Sequence, residues 1–209
     1  FGEQYGSTLK ETDIFLPNNP YSTAKTFAHS VVNLYRENLG IAASNIILFS
    51  HESERRPESF LSRKISKGVA RISRDEQEEI SLGNLNSKRD WGYAPEYVEG
   101  LLRATELESG EDFVLATGIA TSVQEMIEFA FLHANMEITW RGSGESRTGI
   151  DQTGKVRISC DKKFFRSDDV NCLLGNSDKA RKMLGWEAKI SAKEVIQRMV
   201  DFDIGRNGD

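Results

Sequence analysis

Hydrophobic residues recur at intervals of three and four from Tyr21 to Leu39, and Gly40 ends the run. This spacing places apolar side chains along one side of a helix, so it predicts an amphipathic helix over residues 21–39. Residues 41–49 are mostly apolar and rich in β-branched side chains, and they are bounded by glycine and by polar residues. They predict a fully buried strand, parallel to its neighbour because it follows a helix.

The same patterns continue along the chain. Helical spacing predicts five further helices, over residues 60–72, 95–106, 122–134, 177–184 and 191–204, with serine N-caps at Ser122, Ser177 and Ser191. Strand candidates are residues 80–82, 112–116, 136–141 and 155–159. Residues 1–19 and the charged stretch 73–79 have the composition of loops. Alternation of helices and strands predicts an α/β fold with a parallel sheet at least in its first half.

Composition and charge argue against several classes of function. The chain has 209 residues and a formal net charge of −5, which argues against a dedicated binder of nucleic acid or of anionic membranes. The same charge and a pI near 5.4 predict a mildly acidic cytoplasmic protein. No apolar run approaches the roughly 18 residues that span a bilayer. The two cysteines, Cys160 and Cys172, are expected to be buried thiols, and the three scattered histidines predict no metal site.

Tyr21 and Lys25 are candidates for chemistry because they are four residues apart at the head of the first helix. On a helix this spacing places the phenol and the ammonium group on one face, about one turn apart. A nearby ammonium group stabilises a phenolate, which makes the tyrosine usable as a general base. The alternative is ordinary helix surface, which is the commoner explanation for such a pair on its own.

A phosphate-binding turn of the dinucleotide type is not found in these 209 residues. The motif Gly-x-Gly-x-x-Gly joins a strand to a helix. The nearest candidates, Gly142 with Gly144 and the isolated Gly118, do not lie between a predicted strand and a predicted helix.

Several motifs resemble one family of nucleotide-sugar enzymes. Pro20–Lys25 resembles the catalytic helix of the extended short-chain dehydrogenases/reductases. Five stretches are similar to the GDP-mannose 4,6-dehydratases among them: 47–56, 63–66, 83–98, 112–118 and 164–166. The resemblance implies the back part of a Rossmann-like, doubly wound parallel sheet with a smaller α/β substrate-binding lobe. Residues 1–60 would belong to the Rossmann domain, and 61–209 mainly to the lobe, interleaved with Rossmann elements near 80–118.

The resemblance also implies an activity, the NADP-dependent dehydration of GDP-mannose to GDP-4-keto-6-deoxymannose, a reaction of nucleotide-sugar metabolism and GDP-fucose biosynthesis. A homodimer or homotetramer is expected. The family's glycine-rich turn and its catalytic Thr/Glu pair would fall upstream of Phe1, so the chain alone is expected to be inactive. The alternatives are a related nucleotide-sugar epimerase or reductase, or a non-catalytic fragment that binds a nucleotide sugar.

The family's functional residues can be carried over where the motifs match. Tyr21 would accept the proton of the sugar 4-hydroxyl, and Lys25 would hold the nicotinamide ribose and tune Tyr21. His51 and Arg56 match positions that contact the cofactor just beyond the end of a strand. The alternative for this pair is a loop histidine and a surface arginine.

The substrate-binding positions would be Ser50, Lys64, Arg89, Arg166 and Asp169. Ser50 replaces the family's asparagine and lacks its paired donor and acceptor. Lys64 and Arg89 would bind the pyrophosphate and nucleoside end, although Lys64 also fits a solvated basic helix face. Arg166 and Asp169 would bind the guanosine ribose, with a serine where the family has proline after the arginine and with Asp169 in place of glutamate. The tryptophans are expected in the core or at a domain interface.

Overall fold

The structure is a computed structural model that describes residues 1–2, 8–165 and 172–205. Its helices are α1 (Pro20–Leu39), α2 (Leu61–Ser73), α3 (Ala94–Thr105), α4 (Val123–His133), α5 (Asp178–Leu184) and α6 (Ala192–Ile204). Its strands are β1 (Asn45–Leu48), β2 (His51–Glu52), β3 (Ile80–Leu82), β4 (Lys88–Asp90), β5 (Gly92–Tyr93), β6 (Asp112–Leu115), β7 (Ala120–Ser122), β8 (Ile138–Arg141), β9 (Thr148–Asp151), β10 (Val156–Cys160) and β11 (Cys172–Leu173). No described helix is both long and apolar enough to cross a bilayer.

The chain divides into two compact units, each assembled from three separate segments. The first unit contains Phe1–His51, Arg89–Ala120 and Val170–Ser191. The second contains Glu52–Lys88, Thr121–Asp169 and Ala192–Asp209. The assignment of a cofactor role or a substrate role to either unit stays a prediction.

The first unit is built on β6, which is buried on both faces. β1 and β6 pair in parallel from Asn45 opposite Asp112 to Leu48 opposite Leu115. On one face of β6, Phe113 and Leu115 pack with residues of α3 and α5 and with the buried Trp186. On the other face, Val114 and Ala116 pack with Leu9 and Phe49. This double burial is characteristic of a parallel strand in an α/β sheet.

Local signals set both ends of α1. The side chain of Asn19 accepts a hydrogen bond from the backbone N–H of Ser22, and Pro20 occupies the first turn, where its missing N–H costs nothing. Gly40 ends the helix with φ +64°, a left-handed conformation that glycine adopts without strain. The predicted helix over residues 21–39 is therefore confirmed almost to the residue.

The apolar face of α1 lies on the surface. None of its twenty residues is buried, and Phe27, Leu34, Tyr35 and Leu39 are all more than half exposed. The following strand was predicted to be fully buried, but β1 is only partly buried, and Leu48 is exposed. The reason is that β6 is the only described strand that pairs with β1.

The second unit combines a four-stranded sheet with three packed helices. The sheet has the order β3-β10-β9-β8, in which β3 and β10 are parallel and the other pairs are antiparallel. Helices α2, α4 and α6 pack against one another through buried aliphatic and aromatic side chains. Gly68 lets α2 approach β3, because a Cβ at this position would lie 2.5 Å from Cδ1 of Ile80.

Some predictions for individual caps, tryptophans and cysteines were confirmed and others were wrong. Ser122 forms the predicted capping box with Glu125, and Trp91 and Trp186 are buried. The Ser177 hydroxyl does not cap α5; it instead bonds the backbone N–H and C=O of Ala116, which locks the helix start to the end of β6. The expectation of two buried thiols was wrong for Cys172, which is exposed, and Cys160 is only partly buried.

A matched pair of leucines tests the position of the first unit's core. Leu115 in β6 is fully buried, whereas Leu102 in α3 is 60 % exposed. Leu115→Ala should lower the free energy of unfolding by about 2–5 kcal/mol, because it removes transfer energy and leaves a cavity. Leu102→Ala should change it by less than about 0.5 kcal/mol. Urea unfolding of both variants gives the comparison, and equal losses would contradict the assigned core.

Candidate active site

Tyr21 and Lys25 lie together on the first turns of α1. The Lys25 Nζ lies 5.6 Å from the centroid of the Tyr21 ring, as the four-residue spacing predicts. Tyr21 is 72 % exposed, so its hydroxyl is open to a ligand. The structure therefore brings together an accessible phenol and an ammonium group near its ring.

A polar network aligns α1 with the two strands of the first unit. His29 Nε2 lies 2.8 Å from one Asp112 carboxylate oxygen, and the Arg36 guanidinium donates to the other at 2.8 Å. The Asn45 side chain donates to the same carboxylate at 3.0 Å. Burial opposes ionisation of Asp112, but the hydrogen bonds from Arg36 and Asn45 hold its pKa below the usual range. The middle of α1 is thereby fixed beside the first residues of β1 and β6.

This alignment sets the level of Tyr21 relative to the strands. Eight residues of helix separate Tyr21 from His29, which corresponds to about 12 Å. The three steps along β6 from Asp112 to Leu115 cover a comparable distance of about 10 Å. Arg36 donates to the carbonyl of Ala43, which precedes β1, whereas the carbonyl of His29, earlier in α1, accepts from Asn45 in β1. The helix therefore runs antiparallel to β1, and its N-terminus lies toward the carboxyl ends of the strands. Ligands of open α/β sheets bind at that edge.

Ser50 and His51 follow β1 at the same edge. His51 Nδ1 lies 2.8 Å from the carbonyl oxygen of Phe49, and because a carbonyl only accepts, Nδ1 carries the proton. In the neutral ring Nε2 is then left as an acceptor. The imidazole stacks on the ring of Tyr97 with the centroids 5.3 Å apart, and the backbone N–H of Gly92 donates to the carbonyl of Ser50 at 2.8 Å.

Tyr97 packs against the His51 ring. It was not identified as a site residue from the sequence. Its ring is 1 % exposed, and burial raises the pKa of its hydroxyl far above the ordinary value. The hydroxyl has no hydrogen-bond partner among the described residues. Gly92 makes room for the phenol, since a Cβ there would lie 2.3 Å from Cε2 of Tyr97. The sequence signal was only the helical spacing, which marked Tyr97 as apolar packing.

Arg89 lies in β4 and is partly buried, and the next residue, Asp90, is fully buried. The segment from Arg89 to Tyr97 therefore contains the predicted phosphate-binding residue and also the residues that contact Ser50 and His51. Asp90 was also missed as a candidate, because an acidic residue in a three-residue strand gives no sequence signal of burial.

Arg56 belongs to the second unit and is oriented by its own neighbours. Its Nε lies 3.2 Å from a carboxylate oxygen of the buried Glu52, and its guanidinium lies over the Phe60 ring at 3.7 Å from the centroid. The same Glu52 oxygen accepts a hydrogen bond of 2.6 Å from the Ser62 hydroxyl. These contacts hold the Arg56 guanidinium beside Glu52 and Phe60, and its contact with a cofactor stays a prediction.

Lys64, also in the second unit, has internal contacts for its ammonium group. Nζ donates to the carbonyl of Ser81 at 2.6 Å and lies over the ring of Phe164, 3.7 Å from the centroid. Burial, and then the nearby charge of Lys163, lowers the pKa of Lys64. Lys64 thus holds the turn at residues 162–164 against the end of β3.

The remaining predicted ligands cannot be placed. Arg166 and Asp169 lie outside the described residues, so their proposed ribose contact stays a prediction. Within the described part of the chain, no group of three or more His, Cys, Asp or Glu side chains is arranged to hold a metal ion.

Comparison with known proteins identifies the family. The family model described as GDP-mannose 4,6 dehydratase matches residues 1–199. This chain belongs to the GDP-mannose 4,6-dehydratase family. The resemblance that the sequence motifs indicated is therefore confirmed over nearly the whole chain.

Relatives within the GDP-mannose 4,6-dehydratase family are similar throughout the chain. It is 46 % identical to GDP-mannose 4,6 dehydratase 2 of Caenorhabditis elegans over 97 % of its length and 54 % of that protein. It is 45 % identical to the Dictyostelium discoideum enzyme over 99 % of its length and 60 % of that protein. For the Homo sapiens enzyme the identity is 42 %, over 98 % of the chain and 55 % of that protein. The chain thus spans about half to three-fifths of these relatives.

Solved structures support the fold class of this family member. RMD from Pseudomonas aeruginosa, solved with NADPH, gives a TM-score of 0.77 at 18 % identity, covering 94 % of this chain and 60 % of that one. The dTDP-glucose 4,6-dehydratase of Bacillus anthracis, solved with NAD, gives 0.77 at 14 % identity, covering 99 % and 58 %. The predicted Rossmann-like α/β fold is confirmed.

Proposed function

We propose that the full-length protein, meaning residues 1–209 together with any further sequence encoded with them, is an NADP-dependent GDP-mannose 4,6-dehydratase. It converts GDP-mannose to GDP-4-keto-6-deoxymannose. The family match over residues 1–199 and the identities of 42–46 % to enzymes of that name support this proposal. It concerns the whole protein, because the chain spans only part of those relatives.

The observation that carries the proposal is the pairing of Tyr21 with Lys25. Oxidation at C4 requires a base for the 4-hydroxyl proton, and the accessible Tyr21 phenol supplies the oxygen. Lys25 lies beside it, with Nζ 5.6 Å from the centroid of the Tyr21 ring, so both side chains can act on one bound ligand. We expect a sugar ring bound at the carboxyl ends of β1 and β6 to present its 4-hydroxyl to this pair.

We expect three residues of this chain to contact a bound nicotinamide nucleotide. Lys25 offers an ammonium group to ribose hydroxyls, His51 offers an Nε2 acceptor held by the Nδ1 contact with Phe49, and Arg56 offers an oriented guanidinium to a phosphate. The chemistry that a bound nicotinamide supplies is acceptance of hydride from C4 and its return at C6 after water is lost across C5–C6. The solved neighbours that contain NADPH or NAD share this fold.

The nucleotide sugar would be bound through its diphosphate by Arg89, whose planar guanidinium matches two phosphate oxygens. Ser50, held by the Gly92 hydrogen bond, would contact the sugar or its phosphates with a single hydroxyl. Lys64 would add positive charge near the nucleoside end. Arg166 and Asp169 would complete the site at the guanosine ribose.

A product assay on the full-length protein tests this proposal. With GDP-mannose and NADP, mass spectrometry should detect a product lighter than the substrate by one water, with no net consumption of NADP. An epimerase would leave the mass unchanged. A reductase supplied with NADP could only run in reverse, so the product would lose two hydrogens and NADPH would accumulate. A binding protein would retain GDP-mannose without turnover. Each of these three results would contradict the proposal.

Assembly and location are part of the same proposal. A homodimer or homotetramer is expected, and light scattering of the purified full-length protein measures it directly. A cytoplasmic location is expected, and fractionation of cells that express the protein would test it.

A further inference from the structure

The carboxylate of Asp90 accepts hydrogen bonds from two separate chain segments in the first unit. Asp90 is 1 % exposed. One oxygen accepts hydrogen bonds from the backbone N–H and the hydroxyl of Thr117, both at 2.7 Å. The other accepts from the N–H of Gly118 at 2.9 Å and of Gly175 at 3.2 Å. Four donors from two segments thus converge on a single side chain.

Burying the Asp90 carboxylate costs free energy unless hydrogen bonds compensate for the lost hydration. Burial raises the pKa of Asp90, and the hydrogen bonds from Thr117, Gly175 and Gly118 oppose that shift. The donors belong to the turn after β6, where Gly118 has φ +75°, and to the segment that follows β11. If the carboxylate were absent, the backbone N–H groups of Thr117, Gly118 and Gly175 would lose their acceptor. Asp90 therefore fixes β4 against both segments.

The neighbour of Asp90 in the strand is Arg89. Successive side chains of a strand point to opposite faces, so burial of Asp90 toward the turn directs Arg89 the other way. Two residues after Asp90, Gly92 is bonded to Ser50, so the stretch that carries Arg89 is fixed on its carboxyl side at two points. A bidentate contact to phosphates depends on such a fixed backbone, because the guanidinium fork tolerates little misplacement.

We propose that Asp90 is the positioning residue for Arg89: by holding β4 to the Thr117–Gly118 turn and to Gly175, it presents the Arg89 guanidinium to the diphosphate of the nucleotide sugar. This inference rests on the proposed function and adds to it the residue that pre-organises the diphosphate site. Asp90 itself does not touch the substrate and moves no proton.

A double-mutant cycle on the full-length protein tests the proposal. Asp90→Asn keeps the side-chain size, but its amide NH₂ faces backbone donors where a carboxylate oxygen was. Calorimetric titration of GDP should show about tenfold weaker binding, the scale of a charged hydrogen bond. The KM for GDP-mannose should rise while kcat stays near that of the wild type. In an Arg89→Ala background, Asp90→Asn should cause no further loss.

Each outcome of this cycle has a distinct meaning. Equal weakening in both backgrounds, or no weakening by Asp90→Asn alone, would overturn the role assigned to Asp90. A wild-type protein that does not bind GDP would instead refute the proposed function, and this inference with it. A merely structural role predicts an additive loss together with a lower kcat.

A milder pair of variants keeps the test decisive if Asp90→Asn does not fold. Thr117→Val removes one hydroxyl donor to Asp90 and should weaken GDP binding about threefold. Thr153→Val is the matched control, because the Thr153 hydroxyl makes a similar bond of 2.6 Å to Asp151 in the second unit. Its GDP affinity should equal that of the wild type. Equal effects of the two variants, or no effect of Thr117→Val, would contradict the proposal.

Discussion

Tyr21→Phe will lower the kcat of the full-length protein for GDP-mannose by about 10²–10⁴-fold, the usual contribution of a general base. The substitution removes only the ionisable oxygen. Because Tyr21 lies on the surface of α1, loss of its hydroxyl leaves the packing unchanged. The affinity for GDP-mannose should stay within about twofold, because the lost interaction is used in the transition state and not for binding. Steady-state kinetics and calorimetric titration give the two numbers.

Tyr35→Phe is the matched control for this experiment. Tyr35 lies on the same helix and is 52 % exposed, and no catalytic role is assigned to it. Its rate should equal that of the wild type. If Tyr21→Phe retained most of the wild-type rate, Tyr21 would not be the base, and the pairing with Lys25 would be an ordinary helix contact.

Long elements could be predicted from the sequence because their periodicity is local. The helix ending at Gly40 and the helix opened by the Ser122–Glu125 capping box appear where the pattern placed them. The buried strand at Asp112–Leu115 also appears, since the apolar run Phe113–Ala116 marks a strand that is covered on both faces. The spacing of Tyr21 and Lys25 was visible in the sequence, whereas the other candidate site residues came from the family motifs, which specify identities that periodicity cannot. Their roles stay predictions.

Short strands and buried polar residues could not be predicted in the same way. β2 and β5 contain two residues each, too few to show any period. Asp90 is buried because backbone donors 27 to 85 residues away reach it, and only the tertiary fold brings them there. The prediction for Ser177 was wrong for a similar reason: the cap rule sees the local helix start, whereas the hydroxyl bonds Ala116 in another segment.

Arg89 and Lys64 were both predicted to bind the substrate's diphosphate end, but their side chains differ in their contacts and in the geometry of their donors. The Lys64 ammonium group already donates to Ser81 and lies over Phe164, so part of its bonding capacity is used inside the second unit. Arg89 carries a planar fork with five donors, which can serve two phosphate oxygens while also contacting the protein. The energetic cost of losing each side chain should therefore differ.

Arg89→Ala should weaken binding of both GDP and GDP-mannose by about tenfold or more, the loss of a charged bidentate contact of about 1.5–3 kcal/mol. Lys64→Ala should cause a smaller loss, because a point charge on this basic helix is more easily replaced by its neighbours.

Arg71→Ala provides the control for charge alone: Arg71 is also on α2, is 41 % exposed, and pairs with Glu58 on the surface. Its removal should leave GDP binding within about twofold. Calorimetric titration of GDP into the full-length variants ranks the three. Equal affinity of the wild type and Arg89→Ala would remove Arg89 from the site and would count against a nucleotide sugar as the ligand.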